Sequence, residues 1–129
     1  MSSSLLPMLE LHAAAAAGSA YVGTEPVDLV RLDSLAPTIL APDDRVYLKL
    51  DVQGTELDAL DGARTSLPRV RAMELELSVV PLYEGAPLLA EMLGRIDEMG
   101  FDLVSIAPAW IDARTGHVLQ LNAIFLRRS

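Results

Sequence analysis

Cysteine is absent from this 129-residue sequence, so no disulfide framework, thiolate metal site or thiol nucleophile enters its chemistry, and its redox compartment is not legible. Positive charge is scarce: Lys+Arg 10 stand against Asp+Glu 18, the formal net charge is -8, and Lys49 is the only lysine. Such a chain repels phosphate backbones and anionic headgroups, which argues against nucleic acid or a membrane surface as partner. No run of about 18 uninterrupted apolar residues is there to span a bilayer. The Leu- and Ala-rich opening lacks the basic stretch of a secretory signal, and Pro7, Glu10 and His12 interrupt it, so the expected compartment is cytoplasmic. What is there is globular in character, 51% hydrophobic and 22% charged, at a length that suits one core.

Residues 1–42 read as an irregular lead-in. Within it, residues 27–32 are expected to form a short strand, and Asp33 or Ser34 to cap a short helix that ends near Leu40 between Pro37 and Pro42. Residues 43–129 carry the sheet and helices. The run RVYLKLDV (45–52) is β-branched and aromatic and ends at a Gln53-Gly54 turn. Beyond it Thr55 and Asp58 suggest a weak capping box, and Leu57 with Leu60 an apolar helix face before Gly62. RAMELELSVV (71–80) alternates as a strand, Met73, Leu75 and Leu77 on one face and Glu74, Glu76 and Ser78 on the other. Pro87 opens a helix in which Leu88, Leu89, Met92, Leu93, Ile96 and Met99 recur at helical spacing and Gly100 is the stop. Residues 101–106 and 118–126 are the third and fourth strands, with a turn over 112–116 and no helix between them. Strand-helix-strand units demand parallel pairing, while strands joined without a helix are antiparallel. The fold class is therefore α/β, with parallel strands and one reversed strand near the C-terminus.

LKLDVQGTELDALDGA (48–63) resembles the FkbM family of S-adenosylmethionine-dependent methyltransferases, in which a strand ends in Lys-hydrophobic-Asp-Val-Glu-Gly before an acidic helix and Gly-Ala. SSSLLPM (2–8), ELSVVPLYEG (76–85), GFDLVSI (100–106) and LQLNAIFLRR (119–128) agree with the same family. The resemblance implies the C-terminal part of a Rossmann-like methyltransferase sheet, its last strand antiparallel between the second and third. It also implies S-adenosyl-L-methionine as cofactor and a small-molecule hydroxyl acceptor, a sugar or secondary metabolite. Two departures each remove a carboxylate: Gln53 stands where the family often has Glu, and Asn122 where Asp is expected. The family's glycine-rich turn under the methionine part of the cofactor has no counterpart, since Gly18 and Gly23 follow no convincing strand. The expectation is thus a single truncated methyltransferase domain over 1–129, inactive alone and binding the cofactor weakly. The unpaired edge of 45–52 points to a homo-oligomer or a missing N-terminal half as partner. The rival readings are a non-catalytic interaction module and one half of a split enzyme.

Ligands of open α/β sheets sit beyond the carboxyl ends of the parallel strands, and the reversed fourth strand brings its beginning back to that edge. Asp51, Glu76 and His117 are the candidate catalytic residues, and Asp51, Gln53 and Gly54 the candidates for the cofactor. Tyr83, Trp110, Gln120 and Asn122 are the candidates for the acceptor; no metal motif is present. Asp51 suits a base that takes the acceptor's proton, or a salt-bridged acid at a strand end. Glu74 and Glu76 on a central strand need compensation, which Lys49 supplies if it forms a buried ion pair with one of them; otherwise Glu76 lines the acceptor pocket with Asp51. His117 reads either as a proton carrier or as polar turn surface, and Tyr83 and Trp110 either as an apolar lip or as packing.

Overall fold

A computed structural model describes residues 3–129, so Met1 and Ser2, the start of the lead-in and of the SSSLLPM segment, lie outside the described residues. The elements in order are α1 (Glu10–Ala15), α2 (Leu32–Ile39), β1 (Val46–Leu50), α3 (Glu56–Asp61), β2 (Val70–Ser78), α4 (Leu89–Glu98), β3 (Phe101–Ile111) and β4 (Val118–Arg127). The four strands form one sheet in the order β1-β2-β4-β3, a mixed α/β arrangement. β1 and β2 pair in parallel, and β4 lies between β2 and β3 antiparallel to both, so β3 runs in the direction of β1 and β2. The reversed strand thus sits where it was expected.

Period-2 alternation decides which face is buried. Met73, Leu75 and Leu77 of β2 join Ala123 and Phe125 of β4 in the main core, closed by Leu60 after β1 and by Met92 and Ile96 of α4. Each fully buried Leu, Met or Phe here contributes on the order of 1.5–3 kcal/mol. On the opposite face Tyr47, Lys49, Asn122 and Leu126 are exposed. A smaller cluster of Leu82, Tyr83 and Leu119 gathers Leu6, Met8, Ala15 and Trp110 at the far end of the sheet.

That cluster ties down the lead-in, which is less irregular than its composition suggests. Leu9 N–H donates to the Leu82 carbonyl at 2.9 Å and Glu84 N–H to the Pro7 carbonyl at 2.9 Å, around a bridge between Met8 and Tyr83. The expected strand over 27–32 does not form: Val27, Leu29 and Val30 are exposed, and α2 starts at Leu32. Among the described residues that run joins no ladder, and the outer edge of β1 stays unpaired.

The expected signals at helix ends are used otherwise. Neither Asp33 nor Ser34 caps α2; the Asp33 carboxylate instead accepts from Thr65 N–H, Ser66 N–H and Ser66 Oγ, and Pro37 lies inside the helix. Thr55 precedes α3 without a capping bond and donates to the Val52 carbonyl at 3.1 Å. α4 begins at Leu89, two residues beyond Pro87. β3 extends past Ile106 to Ile111 because its pairing with β4 continues to Val118. Pro108 is tolerated there since an edge strand need not donate on its outer side.

Candidate functional site

Strand polarity brings polar side chains to one end of the sheet. Asp51 and Gln53 follow β1, Glu76 lies near the end of β2, Gln120 near the start of β4 and Trp110 near the end of β3. Together with Ser3, His12 and Ser19 of the lead-in they line an open cleft of about 570 Å³. Of the expected site residues, Asp51, Gln53, Glu76, Trp110 and Gln120 are thus brought together.

Gln53 is the hinge of this arrangement. It is the only non-glycine residue with a positive φ among the described residues, at 53°. That left-handed backbone costs on the order of 1 kcal/mol and is held from several sides. Ser4 Oγ donates to the Gln53 carbonyl at 2.7 Å. The Gln53 amide nitrogen donates to Asp51 Oδ1 at 2.7 Å and to Glu76 Oε2 at 3.1 Å, and its Oε1 accepts from the Tyr83 hydroxyl at 2.6 Å. Two carboxylates therefore share one amide NH2. Burial, and then the nearby charge of Asp51, raise the Glu76 proton affinity above the ordinary carboxylate value of 4.5.

The turn beneath is supported by a residue the sequence reading passed over. Glu56 is buried, and its carboxylate accepts from Val52 N–H at 3.1 Å and Gly54 N–H at 3.1 Å. Burial raises its proton affinity as well. Gly54 has a φ of 105°, and a Cβ there would stand 3.1 Å from Ala86 Cβ and 3.2 Å from Tyr83 Cβ. Gly54 therefore lies packed beneath the turn with its N–H committed to Glu56. The signal for Glu56 was its place two residues after the glycine, within reach of that N–H.

Tyr83 is not a lip. It is 1% exposed, and its hydroxyl reaches Gln53 and His12 from below. His12, given little weight by sequence, is 4% exposed, stacks edge-on against Trp110 at 4.8 Å and Tyr83 at 5.1 Å, and bonds Ser19 Oγ through Nδ1 at 3.2 Å. Burial lowers its proton affinity below the ordinary 6.5. Its only sequence signal was a histidine set in an alanine-rich helix.

His117 and Asn122 lie outside the cleft lining. His117 is exposed in the β3–β4 turn, where its N–H donates to Thr115 Oγ1 at 3.3 Å. Asn122 pairs with Glu76 across the strands but is exposed. The buried ion pair expected of Lys49 is an exposed one: its Nζ lies 3.2 Å from Glu74, with the side chains 59% and 22% exposed. Among the described residues no group of His, Asp or Glu side chains is placed to hold a metal ion. No helix there is long and apolar enough to cross a membrane.

Among family models, that of the methyltransferase FkbM domain matches residues 3–103, which takes in His12, Asp51, Gln53, Glu76 and Tyr83 and stops short of Trp110 and Gln120. No curated protein and no solved structure matches the chain.

Proposed function

The chain belongs to the FkbM methyltransferase domain family, and from that premise we propose that its cleft is the acceptor side of an S-adenosylmethionine-dependent O-methyltransferase, on a Rossmann-like sheet. The observation that carries this reading is the Asp51–Gln53–Glu76 group at the rim of the cleft. An acceptor hydroxyl must lose its proton as its oxygen gains a carbon bond, and a carboxylate whose proton affinity is raised is the better recipient. Glu76 meets that need. Asp51 lies across the same amide and orients the hydroxyl, while Trp110 and Gln120 offer an apolar face and an amide to a small polyhydroxylated molecule such as a sugar.

The residues of the cleft do not fit the whole cofactor. Its methionine carboxylate needs a cation or free backbone N–H groups. No lysine or arginine lines the cleft, and the N–H of Gly54 is bonded to Glu56. S-adenosylmethionine would supply a methyl group on a sulfonium, and these residues leave its methionine end unheld. The purified chain is expected to show no micromolar affinity for it in calorimetric titration.

Trp110 is the only tryptophan, so its fluorescence reports on the cleft alone. Titration with a panel of methyl glycosides and other polyols is expected to change its emission saturably. Glu76→Gln and Asp51→Asn should each weaken that binding about tenfold, roughly 1.4 kcal/mol. Emission indifferent to every polyol in the panel would overturn the assignment of the cleft to a hydroxylated acceptor.

A further inference from the structure

Hydrogen-bond inventory gives the groups behind the cleft a direction. Ionised Asp51 and Glu76 can only accept, so the Gln53 side chain must present its NH2 to them and its oxygen to Tyr83. The Tyr83 hydroxyl has a single hydrogen, and it goes to Gln53 Oε1 at 2.6 Å. His12 Nε2, 3.0 Å from the same hydroxyl oxygen, is then a donor. In the neutral imidazole this leaves Nδ1 as acceptor for the one Ser19 hydroxyl hydrogen, Oγ lying 3.2 Å from Nδ1 and 3.8 Å from its other acceptor, Met8 Sδ. Residues 71 positions apart thus form one ordered chain from the lead-in to the two carboxylates.

Resting on the acceptor-site reading, we infer that Tyr83 and His12 are positioning residues for that site: they hold the Gln53 amide in the orientation that delivers its NH2 to Asp51 and Glu76. Neither touches the acceptor's reacting oxygen; both act through Gln53. The left-handed backbone of Gln53 and the Ser4 bond to its carbonyl fix where the amide starts, and Tyr83 fixes which way it faces. Turned the other way, the amide would set its oxygen against two carboxylates. Around Glu76 the Gln120 side chain is the other hydrogen-bond partner that favours its charged form, and no cation among the described residues faces it. Asp51 follows β1, Glu56 opens α3, both negative, while Gln120 on β4 is neutral, and no lysine or arginine lines the cleft. Burial keeps His12 neutral near neutral pH, as the direction of the chain requires.

The test uses isotope-labelled full-length chain and needs no turnover. In the wild type, long-range nitrogen-proton spectra should show His12 as the Nε2–H tautomer. The Nδ1–H tautomer would overturn the proposal outright, since Tyr83 would then have to donate to His12 and not to Gln53. Next, the Glu76 carboxyl carbon is titrated in Tyr83→Phe, which removes only the hydroxyl, and in His12→Phe, which keeps an aromatic ring there without the N–H donor. Its midpoint should rise by about half a unit or more, whereas His12→Gln, which keeps an N–H donor, should restore it. A folded Tyr83→Phe with an unmoved midpoint would show that the role is packing only. If the midpoint moves while Trp110 emission ignores every polyol, the positioning chain stands and the acceptor reading falls alone.

Discussion

At the scale of single residues, the turn after β1 concentrates the demands that only particular side chains meet. Gly54 combines a φ of 105° with contacts that would hold a methyl group tightly, at 3.1 Å from Ala86 Cβ and Leu6 Cδ1 and 3.2 Å from Tyr83 Cβ. Gly54→Ala must therefore strain the backbone and push Ala86, Tyr83 and Leu6 by a few tenths of an ångström. We expect a loss of about 2 kcal/mol or more in urea denaturation. A loss under about 0.5 kcal/mol, within the range of an ordinary surface substitution, would mean the turn relaxes freely. Glu56 is the companion case, because its removal leaves the N–H groups of Val52 and Gly54 without their carboxylate.

Among the elements, β1 and β3 are the two edge strands, and β1 is the one without a proline. It pairs with β2 on one side, and among the described residues no strand pairs with its other edge. The run over 27–32 that was expected to supply a substitute strand does not do so. Val46, Leu48 and Leu50 face the core while Tyr47 and Lys49 face solvent, and no proline or bulge guards the outer edge beyond the irregularity between Val46 and Tyr47. Such an edge offers a row of backbone donors and acceptors to another strand. Self-association through β1 is expected to appear as a rise in mass with concentration by light scattering, with slower amide exchange over residues 47–50 in the associated form. A chain that stays monomeric at every concentration and exchanges fast along β1 would remove this expectation.

Over the whole molecule, two sets of carboxylates pull the pH dependence of stability in opposite directions. Burial works against ionised Asp33, yet the bonds from Thr65 and Ser66 bring it down to about 2, and the Arg114 guanidinium with its backbone N–H brings Asp112 to about 2. Their contribution is complete above the ordinary 3.8 and is lost as pH falls toward those values. Glu56 and Glu76 are raised by burial, so their contribution is present below the ordinary 4.5 and is lost as pH rises through their folded-state values. The net charge of -8 adds repulsion on the same side. Buried His12 acts in the opposite sense, its contribution present above the ordinary 6.5 and lost as pH falls. The Glu76 share is read by difference: Glu76→Gln should raise the melting temperature relative to wild type more at pH 7 than at pH 4, and an equal difference at both would contradict this account.

What the sequence determined by itself is local. Alternation in β2 and β4 chose the buried face, the spacing of Met92 and Ile96 made α4 amphipathic, and the strand-turn-helix run over 48–63 placed Asp51 and Gln53 at a sheet end. These features were legible because each is a pattern within one element, repeated every two or every three to four residues. The tertiary structure alone decided that His12 and Tyr83 meet behind Gln53, that Asp33 closes a turn more than thirty positions away, and that Lys49 pairs with Glu74 in the open. It also left His117 in a solvated turn, where a histidine after Thr115 and Gly116 reads the same in sequence whether or not a cleft lies beside it. Contacts of that kind depend on which surfaces remain after the core has closed, and no periodicity along the chain carries that information.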